Sequence, residues 1–381
     1  MDSPVERRVF QRQADGKGNI VFNRIYEGPA LSGTAAVYVR AIVREGFSGT
    51  DTDWVKIDDV SESNKNISGE LRVDGGWYDV EIKVESTDGA HVYENTLIER
   101  VGVGEVFLTY GQSNSGCSGD IDWSTGFFTA KYDNVSATSC DPDASEWFHC
   151  KDPLPSIHDT RDDLWDGEGW HDQGMGGSWM PMLGTFLAEQ LGVPVGFIMA
   201  GSGGKPVSDL EPGGDYYHRL SDALAIVGNN GARAILWHQG ESDGFTDREV
   251  YKTGLKNIIN QTAADTANWD SPIQFCISGA TWTPPWWDRE NPESNPAEYN
   301  AWQTRMETLR TAQYEVADEM PQAFRGPNTD ILELNYRADQ NGSWVHFNIP
   351  GLIIKAEMWY DILIDHYNWN NGIPRTPWVQ G

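Results

Sequence analysis

The feature that most restricts the fold is a change of hydrophobic pattern near residue 102. Beyond it, short apolar runs alternate with stretches of helical periodicity, which is typical of a parallel sheet covered by helices. The predicted strands are Val106–Thr109, Val193–Ala200, Ala232–Trp237, Ile273–Ser278 and Ile331–Leu334. The predicted helices are Trp179–Leu191, Asp215–Val227, Glu249–Ala264, Ala297–Val316 and Ile349–His366. We therefore expect residues 102–381 to form a three-layer α/β domain with a five-stranded parallel sheet.

Residues 1–101 have a different pattern. Alternating, β-branched runs such as Ala36–Val43 and Gly76–Val84 are separated by turn signals such as Asp88-Gly89. No stretch of helical periodicity interrupts them. The pattern predicts a small antiparallel β-sandwich that precedes the α/β domain.

The net charge restricts the possible partners. The chain has 57 acidic and 28 basic residues, a formal net charge of −29. Such a surface repels nucleic acids and anionic lipids, so we expect neither as a partner. No apolar run is long enough to insert into a membrane. No signal peptide follows Met1, yet we expect an extracellular, periplasmic or virion-associated location.

The four cysteines suggest a structural role. Cys276 lies in an apolar run and is expected to be a free thiol of the core. Cys117, Cys140 and Cys150 lie in a loop-rich insertion at about 116–177, where a disulfide is expected, and Cys140–Cys150 is the first candidate. Zinc is the weaker alternative because no Cys-x-x-Cys spacing occurs. We expect no metal and no cofactor.

The 17 tryptophans exceed what a core of this size needs. Because indole faces stack on sugar rings, a carbohydrate surface is the first hypothesis. The loop after the fourth predicted strand contains Trp282, Trp286 and Trp287, which we expect to contact a substrate. The alternative is a proline-rich loop that its aromatic residues anchor.

Four motifs supply the chemistry. Glu105–Ser115 predicts a buried strand that ends at Gly111, with Ser113 on the tight turn that follows. The second predicted strand ends in glycines at 203–204, and the third in His238-Gln-Gly-Glu-Ser-Asp243. His346 stands just before the last helix. Acyl transfer needs a nucleophile, a base and oxyanion donors, and strand ends of one sheet can provide all of them.

These motifs resemble the SGNH-hydrolase superfamily. Within it, the combination of Gly111-Gln-Ser-Asn with His238-Gln-Gly-Glu-Ser is similar to the carbohydrate acetylesterases, of the sialate O-acetylesterase-like and acetylxylan-esterase-like kinds. The resemblance covers about residues 104–367. It implies a flavodoxin-like sheet and hydrolysis of esters without a metal.

The resemblance also implies the roles of individual residues. Ser113 is expected to be the nucleophile, and His346 the general base and then the acid toward the leaving alkoxide. Gln112 and Asn114 flank the nucleophile and are expected to contact the substrate. The expected oxyanion donors are the backbone N–H of Ser113, that of Gly203 or Gly204, and the side chain of Gln239.

The sequence leaves three possibilities for the acid of the catalytic triad. Many members of the superfamily have an Asp three residues before the catalytic His, but this chain has Ser343 there. Glu241 is the first replacement, because some acetylxylan-esterase-like members use it, and Asp339 on the same loop as His346 is the second. A Ser–His dyad is the third possibility.

The sequence therefore predicts a carbohydrate O-acetylesterase that acts through an acyl-serine intermediate on an acetylated poly- or oligosaccharide. One alternative is a non-catalytic glycan-binding or adhesion protein on a hydrolase scaffold. Another is a lipase or thioesterase of the same superfamily. The tryptophans favour a sugar over an acyl chain, because a lipase would need a broad aliphatic groove.

Overall fold

The computed structural model describes residues 3–120, 128–141, 146–154, 176–269, 272–285, 287–288, 291–338, 344–370 and 372. In this part of the chain the strands are β1 (Val9–Gln11), β2 (Lys17–Ile25), β3 (Ala35–Val43), β4 (Val55–Val60), β5 (Asn66–Asp74), β6 (Gly76–Ser86), β7 (Val92–Gly111), β8 (Val135–Ser139), β9 (Phe148–His149), β10 (Val195–Met199), β11 (Ala234–His238), β12 (Gln274–Gly279) and β13 (Ala323–Asn328). The α-helices are α1 (Met180–Leu191), α2 (Val207–Leu210), α3 (Tyr217–Val227), α4 (Arg248–Asp265), α5 (Pro296–Glu319) and α6 (Ile349–His366).

The N-terminal region folds into two sets of antiparallel strands. β3 pairs with β4 and β6, and β6 pairs with the first half of β7, whereas β2 and β5 form a separate two-stranded sheet. Phe22 of β2 and Ile82 of β6 are fully buried in the same hydrophobic cluster. The two sheets therefore pack against each other through their apolar faces, as the alternating sequence pattern requires.

Strand β7 belongs to both halves of the molecule. Its first half pairs antiparallel with β6, and its second half lies between β10 and β11 in parallel orientation. β1 pairs with it in the middle, at Gly102–Gly104. The predicted domain boundary between residues 101 and 102 falls inside this strand.

The larger sheet is partly parallel. Its order is β13-β12-β11-β7-β10-β8-β9, and all adjacent pairs are parallel except β8 and β9. The fold is thus a mixed α/β fold. The described residues contain six mutually parallel strands, one more than predicted, because β8 lies inside the insertion that we expected to be loop.

Helices cover both faces of this sheet. Leu108 and Ile235 pack against α3, α4 and α5, whereas their neighbours Phe107 and Leu236 pack against α1 and α6. Because successive side chains of a strand point to opposite faces, strands that are buried on both sides must be apolar throughout. In the described part of the chain, no helix has the length and apolar character needed to cross a membrane.

One predicted strand is wrong. Ile331–Leu334 lies within two short 3₁₀ turns, and the side chain of Ile331 is 60% exposed. The edge strand is instead β13, with the sequence Ala-Phe-Arg-Gly-Pro-Asn. It has no β-branched residue and contains both Gly and Pro, so its sequence does not favour a strand.

The order of the strands places a crevice at the end of β7. The chain passes from β8 to β10 through α1 on one face, and from β10 to β11 through α2 and α3 on the other. β10 and β11 lie on opposite sides of β7. Open α/β sheets bind their ligands at the carboxyl ends of strands where the winding reverses in this way.

Candidate active site

Ser113 lies on the turn that ends β7. Gly111 has φ +134°, and a Cβ atom there would lie 2.2 Å from the carbonyl oxygen of His238. Only glycine can therefore end the strand so close to β11. The chain then enters a 3₁₀ turn at Ser113–Ser115, in which Ser113 is only 6% exposed.

His346 contacts Ser113 directly, although 233 residues separate the two. The distance from Nε2 of His346 to Oγ of Ser113 is 2.9 Å. His346 precedes α6, whose first turn is capped by the side chain of Asn348. The serine hydroxyl can thus donate its proton to the imidazole, as a nucleophile and its base require.

The guanidinium of Arg337 holds the segment that contains His346. It donates to the carbonyl oxygens of Val345 at 2.6 Å and of Leu332 at 2.7 Å, and its Cζ lies 3.9 Å from the centre of the Phe347 ring. The backbone N–H of Ala338 also donates to the carbonyl oxygen of His346. The segment of His346 is therefore held by contacts with Arg337 and Ala338.

Glu241 lies in the short 3₁₀ turn that follows β11, close to the turn of Ser113. Its Oε1 accepts hydrogen bonds from Nδ2 of Asn114 at 2.7 Å and from Nε2 of His238 at 3.2 Å. The same amide of Asn114 lies 3.3 Å from the carbonyl oxygen of Val345, next to His346. Asn114 thus links the carboxylate to the segment of the base.

Glu241 and His238 are both buried, yet near neutral pH the first is charged and the second is neutral. Burial lowers the pKa of His238 to about 4, so this histidine is neutral near neutral pH. Burial alone would raise the pKa of Glu241, but its interaction with His238 and the hydrogen bond from Asn114 lower that pKa to about 2. The pair is a carboxylate beside a neutral imidazole.

The surroundings of His346 shift its pKa as well. Burial lowers its pKa below the ordinary value of 6.5, and the negative charge of Glu241 acts against that shift. A neutral imidazole is the form that can accept a proton from Ser113. The carboxylate therefore acts on His346 through its charge, and its described hydrogen bonds go to Asn114 and His238.

Lys355 of α6 is fully buried under the turn of Ser113. Its Nζ donates to the carbonyl oxygen of Asn114 at 2.5 Å and lies 4.6 Å from the centre of the Phe347 ring. Burial lowers the pKa of Lys355 well below its usual value, and the charge of Glu241 partly opposes that effect. Lys355 thus holds the backbone of Asn114, whereas Glu241 holds its side chain.

The loop after β10 packs against the same turn. A Cβ atom on Gly201 would lie 2.0 Å from Oγ of Ser115, and the N–H of Ser202 donates to the carbonyl oxygen of Gly111. Within the described residues, the backbone N–H groups of Ser113 and Gly204 donate to no other group. Their role as oxyanion donors remains a prediction.

The amide of Gln239 has other partners. Its Nε2 donates to Oδ2 of Asp243 and to the carbonyl oxygen of Lys205, the latter at 3.2 Å, and Oε1 of Gln112 lies 3.4 Å away. Its Oε1 is buried without a partner. The role of this side chain in an oxyanion hole remains a prediction, and would require that its amide turn away from Asp243.

The predicted substrate-contacting residues have different environments. Gln112 is 2% exposed, and its Oε1 accepts from the backbone N–H of Ser242 at 3.1 Å. Asn114 is 3% exposed and donates a hydrogen bond to Glu241.

The predicted tryptophans lie in the loop after β12. Trp282 is 2% exposed beneath Arg337, and Trp287 is half-buried and donates to the carbonyl oxygen of Pro292. The predictions for Trp286, Asp339 and Ser343 lie outside the described residues.

The predicted disulfide is absent. All four cysteines are buried, and none of them forms a disulfide. Cys140 packs in the core on one face of the sheet and Cys150 in the core on the other, which separates their side chains. The region around them is held instead by β8 and β9 and by the buried carboxylate of Asp152, which accepts two hydrogen bonds from Ser178.

Two contributors to the site were not predicted from the sequence. They are the clamp Arg337 and the buried cation Lys355. One signal was available for Lys355, because it follows the apolar run Leu352-Ile-Ile within a predicted helix. A charge that follows such a run on a buried helix requires a buried partner.

Comparison with known proteins agrees with this geometry. The family described as carbohydrate esterase, sialic acid-specific acetylesterase matches residues 103–313, more than half of the chain. No curated protein matches.

Several solved structures are similar. A carbohydrate acetylesterase from Xanthomonas citri has 14% identity and a TM-score of 0.54, and the match covers 97% of this chain and 75% of that one. An Arabidopsis thaliana protein has 16% identity and a TM-score of 0.46, over 69% and 98% of the two chains. A protein from Slackia heliotrinireducens, proposed to be an SGNH hydrolase, has 16% identity and a TM-score of 0.34, over 48% and 90%.

The family match includes Ser113 and Glu241 and ends before His346. The chain belongs to the carbohydrate esterase family of sialic acid-specific acetylesterases.

Proposed function

We propose that this protein is a serine esterase that removes acetyl groups from a carbohydrate through an acetyl-serine intermediate. The observation that supports this most strongly is the 2.9 Å contact between Oγ of Ser113 and Nε2 of His346 at the crevice of an α/β sheet. Family membership supports the acetyl ester of a sugar as the substrate class. The likeness to the Xanthomonas citri enzyme supports a flavodoxin-like, three-layer interpretation of residues 102–381.

In the first half of the reaction, Oγ of Ser113 attacks the acetyl carbonyl carbon while Nε2 of His346 takes the hydroxyl proton. The carbonyl oxygen becomes an oxyanion, which accepts hydrogen bonds from the backbone N–H groups of Ser113 and of Gly203 or Gly204. The bond from the acetyl carbon to the sugar oxygen then breaks. The sugar leaves with the proton from His346, and the acetyl group remains on Ser113.

In the second half, water replaces the sugar. His346 takes a proton from water, whose oxygen attacks the acetyl carbon of the intermediate. The bond to Oγ of Ser113 breaks, Oγ takes the proton from His346, and acetate leaves. Both halves use the same base and the same oxyanion donors, so one preorganised site is sufficient.

Glu241 stabilises the imidazolium in this scheme. Its carboxylate stays ionised because its pKa is about 2, and its charge raises the pKa of His346. Asp339 is the second candidate for this role, because it is in the loop that precedes His346. Stabilising the imidazolium is the role that a triad acid has in serine hydrolases.

The direct test is the release of acetate from 4-nitrophenyl acetate and from a panel of acetylated polysaccharides. We expect turnover by the wild type and none above background by Ser113→Ala, because the acyl acceptor is missing. Rapid quenching followed by mass spectrometry should find one acetyl group on the peptide that contains Ser113. Absence of turnover on every ester would contradict the proposal, and faster hydrolysis of long-chain than of acetyl esters would favour a lipase.

The expected location follows from the substrate. Acetylated polysaccharides lie mostly outside the cytoplasm, so we propose that the protein acts in an extracellular, periplasmic or virion-associated setting. Fractionation of the producing cells, with detection by antibody, would test this.

A further inference from the structure

A cavity of about 390 Å³ lies at the carboxyl edge of the sheet, beside the candidate active site. It is bounded by the loop after β12, by α5 and by the turns after β13. Its volume is within the range of roughly 300–1,000 Å³ in which proteins bind small ligands. The residues that matter for its chemistry are Trp282, Tyr299, Trp302, Arg310, Asp330 and Glu333.

A short chain of contacts joins this cavity to His346. Trp282 forms part of the cavity wall, and Cζ of Arg337 lies 4.7 Å from the centre of the Trp282 ring. The same guanidinium donates to the carbonyl oxygen of Val345 at 2.6 Å, and Val345 precedes His346. The cavity is therefore linked to the segment of His346 through two buried side chains, and we expect a polymer with one residue at Ser113 to extend toward it.

The cavity wall is rich in aromatic rings. The ring of Tyr299 stacks on that of Trp302 with centroids 5.7 Å apart, and Trp302 meets Trp282 edge to face at 6.5 Å. The indole of Trp302 donates to the carbonyl oxygen of Thr283 at 3.0 Å, which ties α5 to the loop after β12. Rigid aromatic surfaces of this kind bind ligands whose faces are apolar and whose edges are polar, as in pyranose rings.

The charges of the cavity are mainly negative. Its lining contains the three carboxylates of Glu307, Asp330 and Glu333 against the one guanidinium of Arg310. Arg310 already donates to Asp330 at 2.8 Å and to Glu307, so it has two carboxylate partners. The whole chain has a formal net charge of −29. Among the lining residues that the structure describes, Arg310 is the only cation and already has carboxylate partners, so an anionic ligand would meet mainly like charge there.

We propose that this cavity is a subsite for a neutral pyranose unit of the acetylated polysaccharide, and that it disfavours sugars that carry a carboxylate, including sialic acid. The partly exposed ring of Tyr299 supplies the stacking surface, and the buried rings of Trp302 and Trp282 support it from behind. Exposed polar side chains such as Gln303 and Glu307 supply partners for hydroxyl groups. The inference rests on the proposed function for the carbohydrate nature of the substrate. It differs from the family description in the charge of the sugar.

The test measures binding without turnover. Ser113→Ala protein is titrated with the neutral oligosaccharides xylotetraose, cellotetraose and mannotetraose, and with the anionic tetragalacturonate and sialyllactose, by calorimetry and by tryptophan fluorescence. We expect at least one neutral oligosaccharide to bind about tenfold more tightly than either anionic one at low salt, with the difference reduced at high salt. Because no ester is cleaved, failure of the hydrolase proposal would leave this readout intact.

Two variants in the Ser113→Ala background locate the binding. Tyr299→Ala is expected to weaken neutral binding by about fivefold or more, since a stacked aromatic contact is lost. Gln303→Ala, whose side chain is exposed, is expected to weaken it without affecting the fold. Phe245→Ala is the matched control, because Phe245 is an aromatic residue outside the cavity with 84% exposure. Thermal unfolding verifies that each variant folds.

A charge variant tests the selectivity. Glu307→Gln with Glu333→Gln should raise the affinity for tetragalacturonate and change neutral binding less. Three results would overturn the proposal: no neutral oligosaccharide binds, an anionic one binds as tightly as the best neutral one, or folded Tyr299→Ala and Gln303→Ala proteins both bind as the wild type does.

Discussion

Two histidines lie near the turn of Ser113, and their environments differ. His346 contacts Oγ of Ser113 through Nε2 at 2.9 Å and is partly exposed. His238 contacts Glu241 through Nε2 at 3.2 Å and is 1% exposed. Burial lowers the pKa of both, in the case of His238 to about 4.

The difference shows how burial assigns roles to identical side chains. A general base must reach the substrate and change protonation during the reaction, which requires some access and a pKa not far from the working pH. A histidine that is enclosed and neutral can only donate a fixed hydrogen bond. We infer that His346 moves protons, whereas His238 orients the carboxylate of Glu241.

The largest expected effect is a difference in kcat between variants of the two histidines. We predict that His346→Gln lowers kcat for 4-nitrophenyl acetate by about 10²–10⁴-fold, because the base is lost. His238→Gln should lower kcat by less than about tenfold, since it removes no proton acceptor of the reaction. Steady-state kinetics on both variants, with Ser113→Ala as the inactive reference, makes the comparison. Equal losses would show that the two histidines do not have separate roles.

The next largest expected effect is that of removing the negative charge of Glu241. Glu241→Gln should lower kcat by about 10²-fold or more, because the imidazolium loses its nearby carboxylate. Asp339→Asn is the competing variant, and Glu249→Gln, on an exposed helix start, is the matched control. If Asp339→Asn is inactive while Glu241→Gln retains most of its activity, the triad acid is Asp339.

Lys355 provides a smaller test of the same buried network. Lys355→Met removes the hydrogen bond to the carbonyl oxygen of Asn114 and should lower the free energy of unfolding by about 1–3 kcal/mol. We also expect kcat to fall by roughly tenfold, since the turn of Ser113 loosens. The control is Lys256→Met, an exposed lysine of α4, which should change neither quantity. Denaturant unfolding and kinetics are the measurements, and unchanged values for Lys355→Met would contradict the role of Lys355.

The smallest effect is a shift of the pH profile. Because burial lowers the pKa of His346, kcat/KM should rise with pH through a midpoint below 6.5 and then level off. The charge of Glu241 raises that pKa, so Glu241→Gln should move the midpoint to still lower pH. A loss of activity with an unchanged midpoint would mean that Glu241 does not act on His346 through its charge.

The free energy of unfolding should depend on pH through the titration of His238 and Glu241. His238 has a pKa of about 4 in the folded protein and an ordinary value of 6.5, so it favours folding when neutral. Glu241 has a pKa of about 2 against an ordinary 4.5, so it favours folding when ionised. Both contributions are lost as pH falls, the first from about 6.5 to 4 and the second from about 4.5 to 2. His238→Gln should weaken the upper part of this dependence.

Much of the frame of the site follows from local sequence patterns. Parallel strands bring their carboxyl ends to one edge, so residues that follow apolar runs were expected to meet, and Ser113 and His346 do. The five predicted helices are all present, because helical periodicity is a strong local signal.

What could not be predicted depends on distant contacts. β13 has no β-branched residue and contains Gly and Pro, and it forms because it can pair with β12 and pack against α5. The burial of Lys355 and the capture of the Gln239 amide by Asp243 are set by packing between elements far apart in the sequence. No local pattern encodes such partners.

Because β7 is one continuous strand, it limits how the N-terminal region could be exchanged for that of another protein. In many multidomain enzymes a flexible linker is the natural place to cut and join. Here the segment that carries the nucleophile continues backward, without a break, into the pairing of the N-terminal sheet. Exchanging the first hundred residues for those of another protein would require a splice in the middle of a hydrogen-bonded ladder, and any error of register there would be carried along the backbone to Ser113.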